Sequence, residues 1–237
     1  MRVVVDERRL ASRRRLARRL SLAGLVVLGF GLFVSLTAEP TRPMVVLSYG
    51  ALIAGTMASW SGVALMNRWV APPRPELVIP AALAGLGPPF ALYHFALPAE
   101  HVLVAPWGLV VLHVLDHRGA AAIRGSRWRD RRPLLARLLA FGRRPLRDPT
   151  RLVGWEVQAL QRAIAEREPA LGDVPIEAVA VFVHPSAMLD AEEPSLPAVV
   201  LGDLKAWLRA RGKGRRLPPA DVRRLTAVLD GLASDGA

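Results

Sequence analysis

The chain has 237 residues, of which 52% are hydrophobic and 22% are charged, and its formal net charge is +12. This composition excludes an intrinsically disordered chain, and the absence of cysteine excludes disulfides, zinc–thiolate centres, iron–sulfur clusters and cysteine nucleophiles. Lys205 and Lys213 are the only lysines, so the positive charge comes almost entirely from arginine, whose planar guanidinium suits phosphate contacts.

Two uncharged segments near the beginning of the chain predict membrane-spanning helices. Residues 22–38 and 44–66 contain 17 and 23 uncharged residues. At about 1.5 Å per residue, both are long enough to cross a hydrocarbon layer about 30 Å thick, the first only just. The connection from Glu39 to Pro43 has two prolines in five residues, which favours a tight hairpin.

Two other interpretations of these segments are a cleaved export signal and a pair of buried core helices. The arginines of Ser12–Leu16 are loosely similar to a twin-arginine export signal, and long apolar helices also occur in soluble cores. Leu36 and Ala38 do not form a small-x-small cleavage site, and the second segment would stop transfer. The uninterrupted lengths of both segments argue against buried core helices.

Arginines beside the spans predict their orientation. Eight arginines precede the first span, Arg42 alone lies in the connection, and Arg68 and Arg74 follow the second span. By the positive-inside rule, both termini are expected on the cytoplasmic side of the cell (inner) membrane. The predicted organisation is a basic cytoplasmic N-terminus over 1–20, a transmembrane hairpin over 21–70 and a cytoplasmic α/β domain over 71–237.

Helix and strand patterns alternate after the proline-rich linker at 71–75. The predicted helices cover 76–86, 148–168, 203–211 and 219–232, and the predicted strands cover 90–97, 101–104, 109–115, 121–124, 176–183 and 198–201. Residues 109–115 are apolar at nearly every position, which predicts a central strand covered by helices on both faces. The fold class is therefore α/β with a mixed central sheet.

Several local motifs of this region occur in a characteristic order. His101–Leu112 contains two predicted strands joined by a turn at Pro106-Trp107-Gly108, Arg118-Gly119 supplies the next turn, Asp148-Pro149 begins a helix, and Ala180–Val183 lies in a later buried strand. In these features, residues 76–230 resemble the nuclease-related domain, a branch of the PD-(D/E)xK nuclease fold. The resemblance implies a nuclease-like α/β domain behind a transmembrane hairpin.

The resemblance also assigns positions to the catalytic groups of that family. Its chemistry uses a helix glutamate, an aspartate at a strand end, and a glutamate and a lysine two residues apart on the next strand, which together hold Mg²⁺ and orient water. On this chain, Glu76 corresponds to the helix glutamate and Glu100 to the aspartate. His113 and Leu115 stand at the glutamate and lysine positions, and leucine can neither position water nor neutralise charge.

These substitutions predict a degenerate member of the family that binds rather than hydrolyses. The expected function is that of a membrane-anchored interaction module, with nucleic acid as a candidate partner and no cofactor. The alternative is a divergent Mg²⁺-dependent nuclease or phosphodiesterase that uses Glu76, Glu100 and His113.

A metal site formed by histidines with Glu100 is geometrically conceivable, since four histidines lie on adjacent predicted strands: His94, His101, His113 and His117. Their scattered spacing is more typical of ordinary hydrogen-bonded histidines, so no metal site is predicted.

A basic segment supplies the candidate binding residues. Arg118–Arg151 contains 11 arginines and two aspartates, and the stretch 152–203 that follows is acidic. The candidates within the basic segment are Arg124, Arg127, Trp128, Arg129, Arg131 and Arg132. This segment is suited to nucleic acid phosphates or anionic lipid headgroups, and it can equally form a solvated surface or face the acidic stretch.

Overall fold

The structure is a computed structural model that describes residues 1–39, 41–138, 145–214 and 216–235. It divides into two units, of which the first comprises residues 1–7, 75–133 and 145–237 and the second residues 8–74 and 134–144. The helices are α1 (Glu7–Thr37), α2 (Arg42–Trp69), α3 (Pro75–Ala82), α4 (Leu134–Leu138), α5 (Thr150–Arg167), α6 (Leu204–Arg211) and α7 (Pro219–Asp235). The strands are β1 (Arg2–Val5), β2 (Ala91–His94), β3 (His101–Ala105), β4 (Gly108–Leu115), β5 (Ala120–Arg124), β6 (Arg127–Asp130), β7 (Ile176–Phe182), β8 (Met188–Glu192) and β9 (Ala198–Val200).

Small residues line the contact between α1 and α2. The buried positions recur every seven residues on each helix, as Leu10, Ala17, Gly24 and Gly31 on α1 and Ser48, Gly55, Gly62 and Trp69 on α2. A Cβ added to Gly55 would lie 2.6 Å from the backbone nitrogen of Leu28, which is too close for any side chain. Small residues at such contacts allow two helix backbones to approach closely, as in membrane helix pairs.

The outer surface of this helix pair is strongly apolar. Phe33 is 63% exposed and Val46 is 72% exposed, whereas the buried positions are mostly glycine, alanine and serine. A helical hairpin in water would bury its largest apolar side chains. Here they are exposed and the small residues are buried, which is the opposite distribution. Both helices are long and apolar enough to cross a membrane, as the sequence predicted.

The two long helices extend beyond the predicted spans. Helix α1 begins at Glu7, so the arginine-rich segment before the first span is helical. Helix α2 begins at Arg42 and ends at Trp69. In the predicted turn between them, Pro40 lies outside the described residues, and the Thr41 amide donates a 2.7 Å hydrogen bond to the carbonyl of Glu39.

A mixed six-stranded sheet forms the centre of the first unit, in the order β1-β2-β3-β4-β7-β9. Strands β2, β3 and β4 are antiparallel neighbours, whereas β1 pairs parallel with β2, and β7 pairs parallel with both β4 and β9. The turn between β3 and β4 is the predicted Pro-Trp-Gly turn. Gly108 has φ +147° and lies against the carbonyl of Pro175, where no larger residue fits.

Helices cover both faces of this sheet. On one face, Leu109 and Val111 pack with Leu160 and Ile164 of α5 and with residues of α7. On the other face, Val110 and Leu112 pack with residues of α3 and α6, which are Ile79, Leu204 and Leu208. The prediction that residues 109–115 form a central strand flanked by helices is therefore confirmed.

The structure also contains strands that the sequence did not predict. These are β1, which joins the edge of the main sheet, and β6 and β8, which flank the predicted strand β5 in a second, three-stranded sheet. The sequence assigned Arg2–Val5 to a basic tail because arginines follow it closely, and β8 carries too much acidic character to resemble a buried strand. Strand β2 ends at His94, three residues earlier than predicted, because Phe95 takes a positive φ of 62°.

Candidate functional site

The two positions that would carry a catalytic glutamate and lysine lie at the end of β4. His113 and Leu115 follow Val111 in the same alternation, so they point to the face covered by α5. Leu115 packs beside Phe182 and the buried Ala180 of the neighbouring strand. Leu115 itself carries no polar group that can position a water molecule, and its side chain packs against an apolar cluster.

The two candidate carboxylates lie on different elements, one on a helix and one in the segment before a strand. Glu76 lies in the first turn of α3, the helix that packs on the face opposite to His113. Glu100 precedes β3, and its carbonyl accepts a 2.6 Å hydrogen bond from the Phe95 amide. All three candidates, Glu76, Glu100 and His113, take part in interactions within the protein.

The described residues contain no group of three or more histidine, aspartate or glutamate side chains arranged to hold a metal ion. Glu76, Glu100 and His113 therefore do not form the oxygen-rich cluster that a Mg²⁺-dependent hydrolase needs. The four clustered histidines of the sequence likewise do not converge on one point with Glu100.

Two of those histidines instead form a buried pair across β2 and β3. His94 and His101 lie directly opposite one another, and their Nδ1 atoms are 2.7 Å apart, so one ring donates to the other. Among the described residues, Nε2 of His94 has no hydrogen-bond partner. Burial lowers the pKa of His94 to about 4, so the ring is neutral at physiological pH.

The arginine-rich candidates lie on the second sheet, where several pair with acidic residues. Arg124 contacts the carboxylates of Asp190 and Glu192 on β8, at 2.9 and 2.8 Å. The hydrogen bond from Arg124 lowers the pKa of Asp190 below its usual value. The parallel pairing of β5 with β8 thus brings the basic and acidic stretches of the chain together, which is one of the arrangements that the sequence left open.

The end of β6 carries a more buried ion pair. The guanidinium of Arg132 donates bidentate hydrogen bonds to the carboxylate of Asp130, and the Nη2–Oδ2 distance is 2.7 Å. His117 lies 3.7 Å from the same carboxylate. Burial acts to raise the pKa of Asp130, but the hydrogen bonds from Arg132 outweigh it and the net pKa is lowered. Arg132 is therefore a structural partner of β6 and not a free surface charge.

Trp128 is in the core and not on the surface, contrary to its expected role beside a ligand. Its ring stacks on Phe182 at a centroid distance of 6.2 Å and an interplanar angle of 9°. Strand alternation then turns its neighbours Arg127 and Arg129 outward, and both are exposed. Within the part of the chain that the structure describes, neither forms an ion pair, whereas Arg131 lies 3.8 Å from Asp190.

A polar cluster that the sequence did not indicate connects β1, β2 and α7. The Tyr93 hydroxyl donates to Asp230 at 2.7 Å and accepts from Arg2 at 2.7 Å, and Arg2 also pairs with Asp230. Burial, with the hydrogen bond to Asp230, raises the pKa of Tyr93. The pairing of β1 with β2 and the packing of α7 against the sheet bring these three distant residues together, so no local signal was available.

Comparisons with protein-family models, with curated proteins and with solved structures gave no match. The resemblance to the nuclease-related domain therefore depends on the motifs of the chain and on the order of its elements.

Proposed function

We propose that this chain is a membrane-anchored binding module with a nuclease-like α/β domain that does not hydrolyse nucleic acid but binds it. The observation that carries the proposal is the environment of β4, where His113 and Leu115 occupy the catalytic positions and Leu115 packs among apolar side chains. The order α3, β2, β3, β4, α5, β7, with β7 parallel to β4, is consistent with the proposed nuclease-like domain.

The proposed ligand surface is the outward face of β6. Arg127 and Arg129 are exposed, on the side opposite to the buried Trp128, and ion pairs do not occupy them within the described residues. Two unpaired guanidinium groups at alternate strand positions suit contacts with successive phosphates, and the overall charge of +12 favours a polyanionic partner.

Binding is tested on the full chain in neutral-lipid nanodiscs, with labelled DNA or RNA at several salt concentrations. We expect measurable binding that weakens with salt, and the double substitution R127Q/R129Q should reduce the slope of log affinity against log salt by about two, since about one ion is released per phosphate contact. The matched control is R223Q/R224Q, which removes the same charge from exposed positions of α7. Equal losses in both variants, or binding only to anionic vesicles, contradict the proposal.

The absence of hydrolysis is tested in the same preparation with Mg²⁺ and with Mn²⁺. We expect no cleavage of single- or double-stranded DNA or RNA, since the described residues supply no cluster of metal ligands. Cleavage that disappears in the Glu100→Ala variant would establish the divergent nuclease instead.

The proposed location is the cell (inner) membrane with both termini in the cytoplasm. The arginines before α1 and after α2 support this orientation by the positive-inside rule. The connectivity supports it as well, since β1, which precedes the helix pair, pairs with β2, which follows it.

A further inference from the structure

An aromatic residue on α5 is exposed where the helix pattern favours a polar side chain. Helix α5 buries Val153, Leu160 and Ile164 against the sheet. Its opposite side carries an exposed stripe of Arg151, Trp155, Gln158 and Arg162, spaced by four, three and four residues. Trp155 is 63% exposed, in the middle of this stripe. The indole of Trp155 therefore presents a large, rigid aromatic face to the outside of the helix.

One cationic side chain lies over this ring, and a second lies two turns further along the same stripe. The guanidinium carbon of Arg151 lies 6.0 Å from the ring centre of Trp155, in cation–π geometry. Arg162 is exposed two turns further along and donates to the carbonyl of Gln158 at 3.3 Å. Proteins bind unpaired nucleic acid bases with aromatic rings on which the bases stack and with nearby basic side chains that contact the phosphates.

We infer that the stripe Arg151–Trp155–Gln158–Arg162 is a stacking platform for single-stranded nucleic acid, with a base on the free face of Trp155. This inference rests on the proposed function and specifies its substrate class. A duplex keeps its bases stacked on one another, so it gains only phosphate contacts with the arginines. Single-stranded ligands should therefore bind more tightly than duplexes of the same sequence.

Fluorescence anisotropy with a labelled single strand and its duplex tests the inference on the full chain in neutral-lipid nanodiscs. The Trp155→Ala variant should lose about tenfold in single-strand affinity, in the range for removal of one base–aromatic stack, and change duplex affinity less than twofold. The Trp155→Phe variant should keep most of the affinity because it retains an aromatic face. The matched control is Leu152→Ala, which removes a neighbouring apolar side chain that is 43% exposed but cannot stack.

Each outcome separates this inference from the proposed function. Unchanged single-strand affinity in Trp155→Ala, with the salt slope still reduced in R127Q/R129Q, overturns the platform and leaves the proposed function intact. No binding of either nucleic acid by the unmodified chain overturns both. Binding of anionic vesicles that weakens equally in Trp155→Ala and Leu152→Ala, without an effect on single strands, identifies a lipid contact and overturns the platform.

Discussion

The arginines of the basic segment differ in whether a carboxylate lies beside them. Arg124 and Arg132 are both close to carboxylates, whereas Arg127 and Arg129 point outward from the same short strand pair. The sequence identified this segment as basic, but the partner of Arg124 is 66 residues away on β8. Sequence therefore predicted the charge of the surface, and only strand pairing determines which charges remain available to a ligand.

The hydroxyl of Tyr93 gives a prediction about stability. Replacement by phenylalanine removes hydrogen bonds to Arg2 and Asp230 but leaves those two to pair with each other, so the expected loss is about 1 kcal/mol in the free energy of unfolding. Urea unfolding of the full chain in detergent measures it. The control is Tyr49→Phe, since Tyr49 is the other tyrosine and its side chain is exposed on α2. Equal effects of the two substitutions contradict the role of the cluster.

The buried histidine pair gives a prediction about pH. The folded chain holds the pKa of His94 at about 4, below the ordinary value of 6.5, so between these values the unfolded chain binds more protons. The free energy of unfolding should therefore decrease as the pH falls from about 6.5 to 4, by at most about 3 kcal/mol from this residue. Thermal midpoints across this range should be flatter for His94→Gln than for the original chain. An unchanged pH profile in that variant, or equal flattening in His184→Gln, would be evidence against this assignment.

Among the elements, long and strongly patterned segments were predictable. The two apolar helices, the central strand β4 and helix α5 appear near their expected positions, because each depends on a run of apolar residues or a regular apolar stripe. Helix α5 begins at Thr150, and the predicted capping residue Asp148 accepts from the Thr150 amide at 3.0 Å. The short strands β1, β6 and β8 were not predictable, since they carry charged residues and depend on distant partners.

The seven-residue spacing of the buried residues on α1 and α2 gives a prediction about the packing of the helix pair. A Cβ at Gly62 would lie 2.6 Å from Cα of Ser21, whereas a Cβ at Gly50 meets nothing within 4 Å. Gly62→Leu should therefore force the helices apart and increase protease cleavage within the pair in detergent, and Gly50→Leu should leave cleavage unchanged. Similar cleavage of both variants would show that close packing does not hold the pair together.

For the molecule as a whole, the position of the helix pair within the chain matters most. Strand β1 comes before the pair and its partner β2 comes after it, with Arg2 opposite Ala91. Hydropathy predicts that residues 1–20 lie outside the α/β domain, because it cannot show that a strand before two long apolar helices belongs to a sheet that follows them. The division between the two units thus does not follow the order of the chain.

The lack of cysteine allows a direct test of this arrangement. Single Thr41→Cys and Ser234→Cys variants place one thiol in the connection between α1 and α2 and one near the end of α7. In right-side-out membrane vesicles, an impermeant maleimide should label the first variant and not the second, and inverted vesicles should give the opposite pattern. Labelling of both thiols from one side would contradict the two-span arrangement.

The position of β2 after both long helices has a consequence for biosynthesis. The ribosome releases β1 first, and the residue that pairs with Arg2 is synthesised 89 positions later, after both apolar helices. In the proposed two-span arrangement, the nascent strand has no partner until the second helix returns the chain to the same side of the membrane. A molecule with only one crossing would leave β1 and β2 on opposite sides of the bilayer, with an unpaired sheet edge. In that arrangement, completion of the sheet therefore requires both crossings.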